Sequence, residues 1–208
     1  MSGSNKFSER SCEDVVQLLR ETPLVWVFAQ DENGMFSLAA PVCTQVISGQ
    51  LSSLVGHVPR SSRLASVSNG KVDALIVAVG ANAYISPSWF SRRNQAPTWN
   101  YASTQFHTQI KLIDDSEYLD THLNELVEIM ERGRDRPWRI EEMGDRYELL
   151  ARRIVAFEAK VTSWEGKFKL GQDEPDDTFA EITAALNVSA DHKILAWMEE
   201  FNSGRKAS

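Results

Sequence analysis

Cysteine is nearly absent: Cys12 and Cys43 are the only two in 208 residues. Two thiols cannot build a disulfide framework. Without a Cys-x-x-Cys or His/Cys cluster they give no zinc signature either, so both are expected to be small buried side chains. Long apolar runs are missing too. None approaches the ~20 residues a membrane helix needs, and the opening MSGSNKFSER lacks the apolar stretch of a secretory signal. A reducing cytoplasm, with no membrane contact, is the expected location. Positive charge is in deficit, with 22 Lys+Arg against 29 Asp+Glu and a formal net charge of −7. Binding duplex DNA over a broad face needs clustered cations, so direct nucleic-acid binding is not expected. Also missing are GxGxxG after a strand, GxxxxGK[ST], HExxH and GxSxG, the signatures of dinucleotide, P-loop, zinc-protease and hydrolase sites.

What is present is an ordinary globular composition, 42% apolar and 25% charged. Ser11-Cys-Glu-Asp14 before VVQLLR predicts a capped helix that Pro23 ends. LVWVFAQ (24–30) and MFSLAAPV (35–42), around Asp31-Glu-Asn-Gly34, predict a hairpin. LSSLVGHV (51–58) reads as a third strand, and a short helical turn is expected within 59–70. VDALIVAVG (72–80), the most apolar run, reads as a strand buried on both faces. The stretch 81–98, with Pro87 and Pro97, is expected to be an ordered loop. Alternation over 98–113 puts Thr98, Asn100, Ala102, Thr104 and Phe106 on one face, and Trp99, Tyr101, Ser103, Gln105 and His107 on the other. Helical periodicity marks 114–132 and 147–153, alternation returns over 154–164, and helices close the chain at 175–186 and 190–201, the last capped by Ser189. With strands in meander order and no βαβ alternation, the expected class is α+β: an antiparallel barrel with peripheral helices. We read one domain over 1–208, with the barrel at about 1–113 and 154–170 and helical additions at 114–153 and 175–203.

Three segments could carry chemistry. His57 ends a strand just before Pro59-Arg60-Ser61-Ser62-Arg63. A phosphate wants Arg donors, hydroxyls and backbone N–H groups together, and this turn offers all three; the alternative is a surface turn with solubilising arginines. Tyr84-Ile-Ser-Pro-Ser-Trp-Phe90 and Pro97-Thr-Trp-Asn-Tyr101 supply flat apolar walls beside polar edges, as a planar heteroaromatic ligand requires; the alternative is barrel core with a polar rim. Lys167-Phe-Lys169, ahead of Gln172 in an acidic neighbourhood, could reach an anion across a dimer interface or be a solvated face. His122 and His192 fall on polar helical surfaces. No acid/base catalyst stands out; His57 and Tyr101 qualify by residue type only.

Gly56-His-Val-Pro-Arg60, Tyr84-Ile-Ser-Pro-Ser-Trp89, Pro97-Thr-Trp-Asn-Tyr101 and Gly166-Lys-Phe-Lys-Leu-Gly-Gln172 occur in that order. Together they resemble the PaiB-like FMN-binding negative transcriptional regulators, over about residues 5–185. The resemblance implies an FMN-binding split β-barrel of the pyridoxamine-phosphate-oxidase type, working as a homodimer with the flavin at the interface. It implies that His57, Arg60, Ser61, Ser62 and Arg63 hold the phosphate. Tyr84, Ser86, Ser88, Thr98, Trp99 and Asn100 would line the ribityl chain and ring. Lys169 and Gln172 would come from later in the chain. Where the family often shows Ala-Arg-Ala-Asn, this chain has Pro59-Arg60-Ser61-Ser62. Three functions follow as expectations: a regulator-type flavoprotein acting through a protein partner or metabolism instead of strong DNA binding; an FMN-dependent oxidoreductase using NAD(P)H or another reductant; or a split-barrel dimer that has lost the cofactor.

Overall fold

The computed structural model describes residues 6–67 and 71–204. The extreme ends of the expected 1–208 span and the last residues of the 59–70 segment lie outside the described residues. Six strands close into an antiparallel barrel in the order β1-β2-β3-β6-β5-β4, with helices at its periphery, an α+β fold. The strands are β1 Leu24–Asp31, β2 Gly34–Ile47, β3 Gln50–Pro59, β4 Val72–Ile85, β5 Thr98–Ile113 and β6 Ile154–Lys169. The helices are α1 Cys12–Glu21, α2 Arg63–Ser66, α3 Ser116–Glu131, α4 Arg146–Ala151, α5 Asp176–Val188 and α6 His192–Phe201. The chain divides into two compact units, one of Cys12–Ala78 and Gln105–Trp164, the other of Met1–Ser11, Val79–Thr104 and Glu165–Ser208.

In the first unit the β1–β2 hairpin turns where the sequence places it. Asp31 pairs with Gly34, the Asn33 N–H donates to Asp31 Oδ1 at 2.7 Å, and Gly34 takes φ +101°, which a side chain would oppose. Alternation then sorts β1: Val25, Val27 and Ala29 are buried while Leu24 and Trp26 face outward. Gly56 lies between Val42 of β2 and Phe157 of β6. A Cβ there would come within 2.4 Å of the Phe157 ring and 2.7 Å of the Pro41 carbonyl, so the position admits no side chain. Both α1 and α3 pack on β2 and β3. Val15, Val16, Leu18 and Leu19 form the buried stripe of α1.

The second unit is organised around Phe168 near the end of β6. Its ring stacks on Phe201 (centroids 5.1 Å) and tilts against Trp197 (5.6 Å), tying α6 to the strand. Asn202 Nδ2 donates to the Leu170 carbonyl at 3.0 Å, and Arg10 lies over the Phe201 ring. Each aromatic pair is worth roughly 0.5–1.5 kcal/mol beyond its burial.

Several boundaries differ from expectation. β4 is not buried on both faces: Val72, Ala74, Ile76 and Ala78 are buried, but Asp73 and Val79 are exposed. An apolar run alone does not distinguish two buried faces from one buried and one sticky outer face. The expected loop 81–98 begins as strand, because β4 continues to Ile85. β6 runs to Lys169, past Trp164. Ser189 does not cap α6; it sits at the C-terminal end of α5, its hydroxyl donating to the Leu186 carbonyl, and Asp191 precedes α6. Cys43 is buried as expected, whereas Cys12 is half-buried.

Candidate functional site

In the second unit, β5 starts at Thr98 and alternation turns Asn100, Ala102 and Thr104 inward. Trp99 points out and is 53% exposed; Tyr84, at the end of β4, is 47% exposed. The two rings meet edge to face with centroids 6.0 Å apart. Lys169, at the end of β6, donates to the Thr98 hydroxyl and, at 3.1 Å, to the Trp99 carbonyl. Among the described residues no carboxylate lies within ion-pair distance of its ammonium. An exposed indole, an exposed phenol ring and the Lys169 ammonium thus share one edge, and the lysine's charge reaches the Asp173 carboxylate, helping to lower its pKa after its hydrogen bond with Lys6. Such a set is well suited to a planar, polar-edged ligand with anionic character.

Other expected site residues in this unit are occupied with their own structure. Ser86 and Ser88 share a hydroxyl–hydroxyl bond of 2.8 Å, and Ser86 Oγ also accepts from the Ser88 N–H at the head of the short turn Pro87–Trp89. Asn100 is buried, its amide reaching Met198 Sδ at 3.5 Å. Gln172 closes the turn after β6: its Oε1 accepts from the Leu170 N–H at 2.7 Å, and its Nε2 donates to the Phe168 carbonyl. Gly171 beside it takes φ +80°.

In the first unit, the strand-end block His57–Arg63 is tied to carboxylates and to a second histidine. Arg60 grips Asp114 through both guanidinium nitrogens, and its Nε donates to the Arg152 carbonyl at 3.1 Å. Arg63 grips Asp31 in the hairpin turn and reaches the Gly34 carbonyl at 3.0 Å. Each partnership raises the arginine's proton affinity and lowers its carboxylate's, chiefly through the side-chain hydrogen bond. Ser62 caps α2, accepting from the Ala65 N–H, while Ser61 is exposed. Side chains are 44% exposed for Arg60 and 72% for Asp114. An exposed pair of this kind contributes at most about 1 kcal/mol.

His122 corrects the expectation of a solvated side chain. It is buried, and its Nε2 lies 3.0 Å from His57 Nδ1. Its position in the inward stripe of α3, four residues after Tyr118 and three after Leu119, was the available signal. Burial lowers the proton affinity of both rings, and the neighbouring His57 adds to the effect at His122, bringing its pKa to about 4. His122 Nδ1 and the Tyr118 hydroxyl find no hydrogen-bond partner among the described residues. A bare lone pair costs less buried than an orphaned N–H. We therefore assign the proton to His122 Nε2, donating to His57 Nδ1. Nearby, burial and then the Glu125 charge push the Cys43 thiol up to about 12, which leaves it inert.

The family described as "Putative FMN-binding domain" matches residues 1–163. The chain belongs to this family. Among curated proteins it is similar to protease synthase and sporulation protein PAI 2 of Bacillus subtilis, at 30% identity over 115 residues. That alignment spans 55% of each chain, so this chain covers about half the length of that relative. Among solved structures it is similar to the FAD and heme binding protein from Mycobacterium smegmatis, with TM-score 0.56 and 16% identity over 83% of this chain and 78% of that one. It is also similar to the flavocytochrome Anf3 from Azotobacter vinelandii, with TM-score 0.54 and 16% identity over 84% and 75%. These structures share the split-barrel fold. FMN is the cofactor of this domain.

The residues fit that cofactor. On the ring side, Trp99 and Tyr84 present apolar faces and Lys169 a cation, which suits an electron-poor tricycle with carbonyl oxygens. In the first unit, both guanidinium termini of Arg60 are held by Asp114, and Asp115, Asp120 and Glu148 line the cavity beside the pair.

Proposed function

We propose that this chain is a homodimeric, FMN-binding protein of the regulatory type that acts through a protein partner or through metabolism. The observation that carries the flavin reading is the Trp99–Tyr84–Lys169 edge, which offers two aromatic faces and one cation to a ligand. Residue by residue, Trp99, Tyr84, Thr98 and Lys169 are assigned to the ring and its polar edge. Arg60 and the Ser61 hydroxyl are assigned to phosphate. His57, Ser62, Arg63, Ser86, Ser88, Asn100 and Gln172 act in support, since their polar groups hold the elements that carry the contact residues. When bound, FMN supplies one- or two-electron redox chemistry. The protein's part is to hold the ring against Trp99 and to keep a positive charge beside it.

The regulatory reading is supported by the printed name of the Bacillus subtilis relative, which ties that protein to protease synthesis and sporulation. Action without direct DNA contact is supported by the charges. No described α-helix carries more than one Lys or Arg, and the net charge is −7, so no basic recognition helix is available to a major groove. The homodimer is supported by an apolar outer sheet face in the first unit. There Trp26 is 53% and Met35 74% exposed, and Trp26 and Phe28 face Val77 and Leu75 across the β1–β4 pair. A groove of about 760 Å³ runs beside Phe28, Met35, Leu75 and Val77, an apolar face of the kind that marks association between chains.

The test is the visible spectrum of the purified protein after incubation with FMN and desalting. Retained flavin absorbance that Trp99→Ala diminishes supports the reading. A preparation that takes up no FMN overturns it.

A further inference from the structure

Within the second unit, the segment from Lys6 to Arg10 is strapped to the end of β6, the strand that carries Lys169. The Phe168 N–H donates to the Phe7 carbonyl at 2.7 Å. Glu9 reaches over Gly166, its carboxylate 2.7 Å from where a Cβ would stand. Arg10 fastens the strap to α6: it pairs with Glu200, donates to the Glu200 carbonyl at 3.2 Å and covers the Phe201 ring. At the other end of the strap, Lys6 Nζ donates to Asp173 Oδ2 at 2.7 Å. Asp173 lies just past the Gly171 turn, which brings the chain round after Lys169.

Asp173 therefore has two lysines within electrical reach. Burial works against its charge, but the bond from Lys6, and then the charges of Lys6 and Lys169, hold its carboxyl below the usual value. Lys169 meanwhile rests on two neutral acceptors, the Thr98 hydroxyl and the Trp99 carbonyl. A charge-assisted bond to a carboxylate is roughly twice as strong as a neutral one, and the lysine stem is long and flexible enough to swing. What keeps Lys169 on the neutral oxygens is that Lys6 already occupies the carboxylate. The side chains of the Lys6–Asp173 pair are 59% and 32% exposed, so the pair matters little for stability. Its consequence falls on the charge at the edge.

Resting on the FMN reading, we propose that Lys6 is a positioning residue: by occupying Asp173, it leaves the Lys169 ammonium on the Thr98–Trp99 edge, available to the flavin ring. Without Lys6, Asp173 captures Lys169 and the edge loses its cation. The strap thus regulates how strongly the site binds while touching no part of the ligand.

FMN binding is followed by flavin fluorescence in the wild type, Lys6→Met, Lys6→Arg, Asp173→Asn and the double variant Lys6→Met/Asp173→Asn. Lys6→Met should weaken binding roughly three- to tenfold, Lys6→Arg should stay within about twofold of the wild type, and the double variant should recover wild-type affinity. Asp173→Asn alone should bind at least as tightly as the wild type. A merely structural ion pair predicts instead a double variant no better than Lys6→Met. Lys169 is also read without flavin, by brief acetylation with acetic anhydride and site-resolved mass spectrometry. Capture should slow its acetylation at least about threefold in Lys6→Met, and the double variant should restore the rate. If the wild type binds FMN and Lys6→Met binds it equally, or the double variant does not recover, the role of Lys6 is refuted and the flavin reading stands. If no variant binds FMN, the flavin reading fails and the acetylation rates alone decide the capture: slowing in Lys6→Met upholds it, and equal rates overturn it.

Discussion

Gly56 shows how a motif residue can be conformationally obligatory without touching a ligand. Its Cα–H faces the Phe157 ring so closely that a methyl group has no room. Gly56→Ala should cost about 1–3 kcal/mol through overpacking, measured as a lower denaturation midpoint, whereas Gly49→Ala, in open space, should cost only the about 1–2 kcal/mol of its positive φ, so that enlarging the side chain to valine should deepen the loss at Gly56 far more than at Gly49. Equal losses with valine at both would contradict the packing argument. The His57–His122 pair gives a pH dependence with a definite sign. Both folded-state pKa values lie below the unfolded value near 6.5, that of His122 at about 4. The unfolded chain therefore takes up protons first as pH falls, so the pair's contribution is complete above pH 6.5 and is lost progressively towards pH 4. For His122 this is at most about 3 kcal/mol. Urea midpoints should fall between pH 7 and 4.5 in the wild type and fall less in His122→Leu; parallel slopes would dismiss the buried pair as the cause. Reading the sequence alone found His57 but placed His122 in solvent, because residue type was weighed above its place in the α3 stripe.

Among the elements, strands were the most legible and ends the least. The Asn-Gly turn, the alternation of 98–113 and the glycine-to-proline limits of β3 all follow from local chemistry that tertiary packing then respects. β4 and β6 extend beyond their apolar runs, to Ile85 and Lys169, because strand pairing in a closed barrel is made by the backbone and does not need an apolar side chain at every position. The same limit governs the candidate site. Alternation put Trp99 and Asn100 on opposite faces, and of the two only Trp99 faces outward. Partners distant in sequence, such as Asp114 for Arg60 or Asp31 for Arg63, leave no trace in spacing. At this scale the site rests on the start of β5 and the end of β6, joined by Lys169 and Thr98. Trp99→Ala and Lys169→Ala should each weaken FMN binding about tenfold or more while shifting the melting temperature little, as both groups are at least partly exposed; unchanged affinity with lowered stability would make them structural.

For the whole molecule, the proposed homodimer rests on the exposed apolar face of β1 and β4, and the proposed action without nucleic-acid contact rests on the net charge of −7. Trp26→Glu places a charge at the centre of that face and should convert a dimer to monomer in sedimentation analysis, without loss of fold because the side chain is exposed. A wild type that is already monomeric at micromolar concentration would remove the dimer from the account. Among the described residues no helix is long and apolar enough to cross a membrane. The central claim, that the chain takes up FMN at the edge formed by Trp99, Tyr84 and Lys169, is tested most directly by the affinity of the flavin-free protein for FMN at moderate salt. The account predicts binding that Trp99→Ala weakens at least about tenfold. No affinity for FMN, or an affinity that Trp99→Ala leaves unchanged, would contradict it.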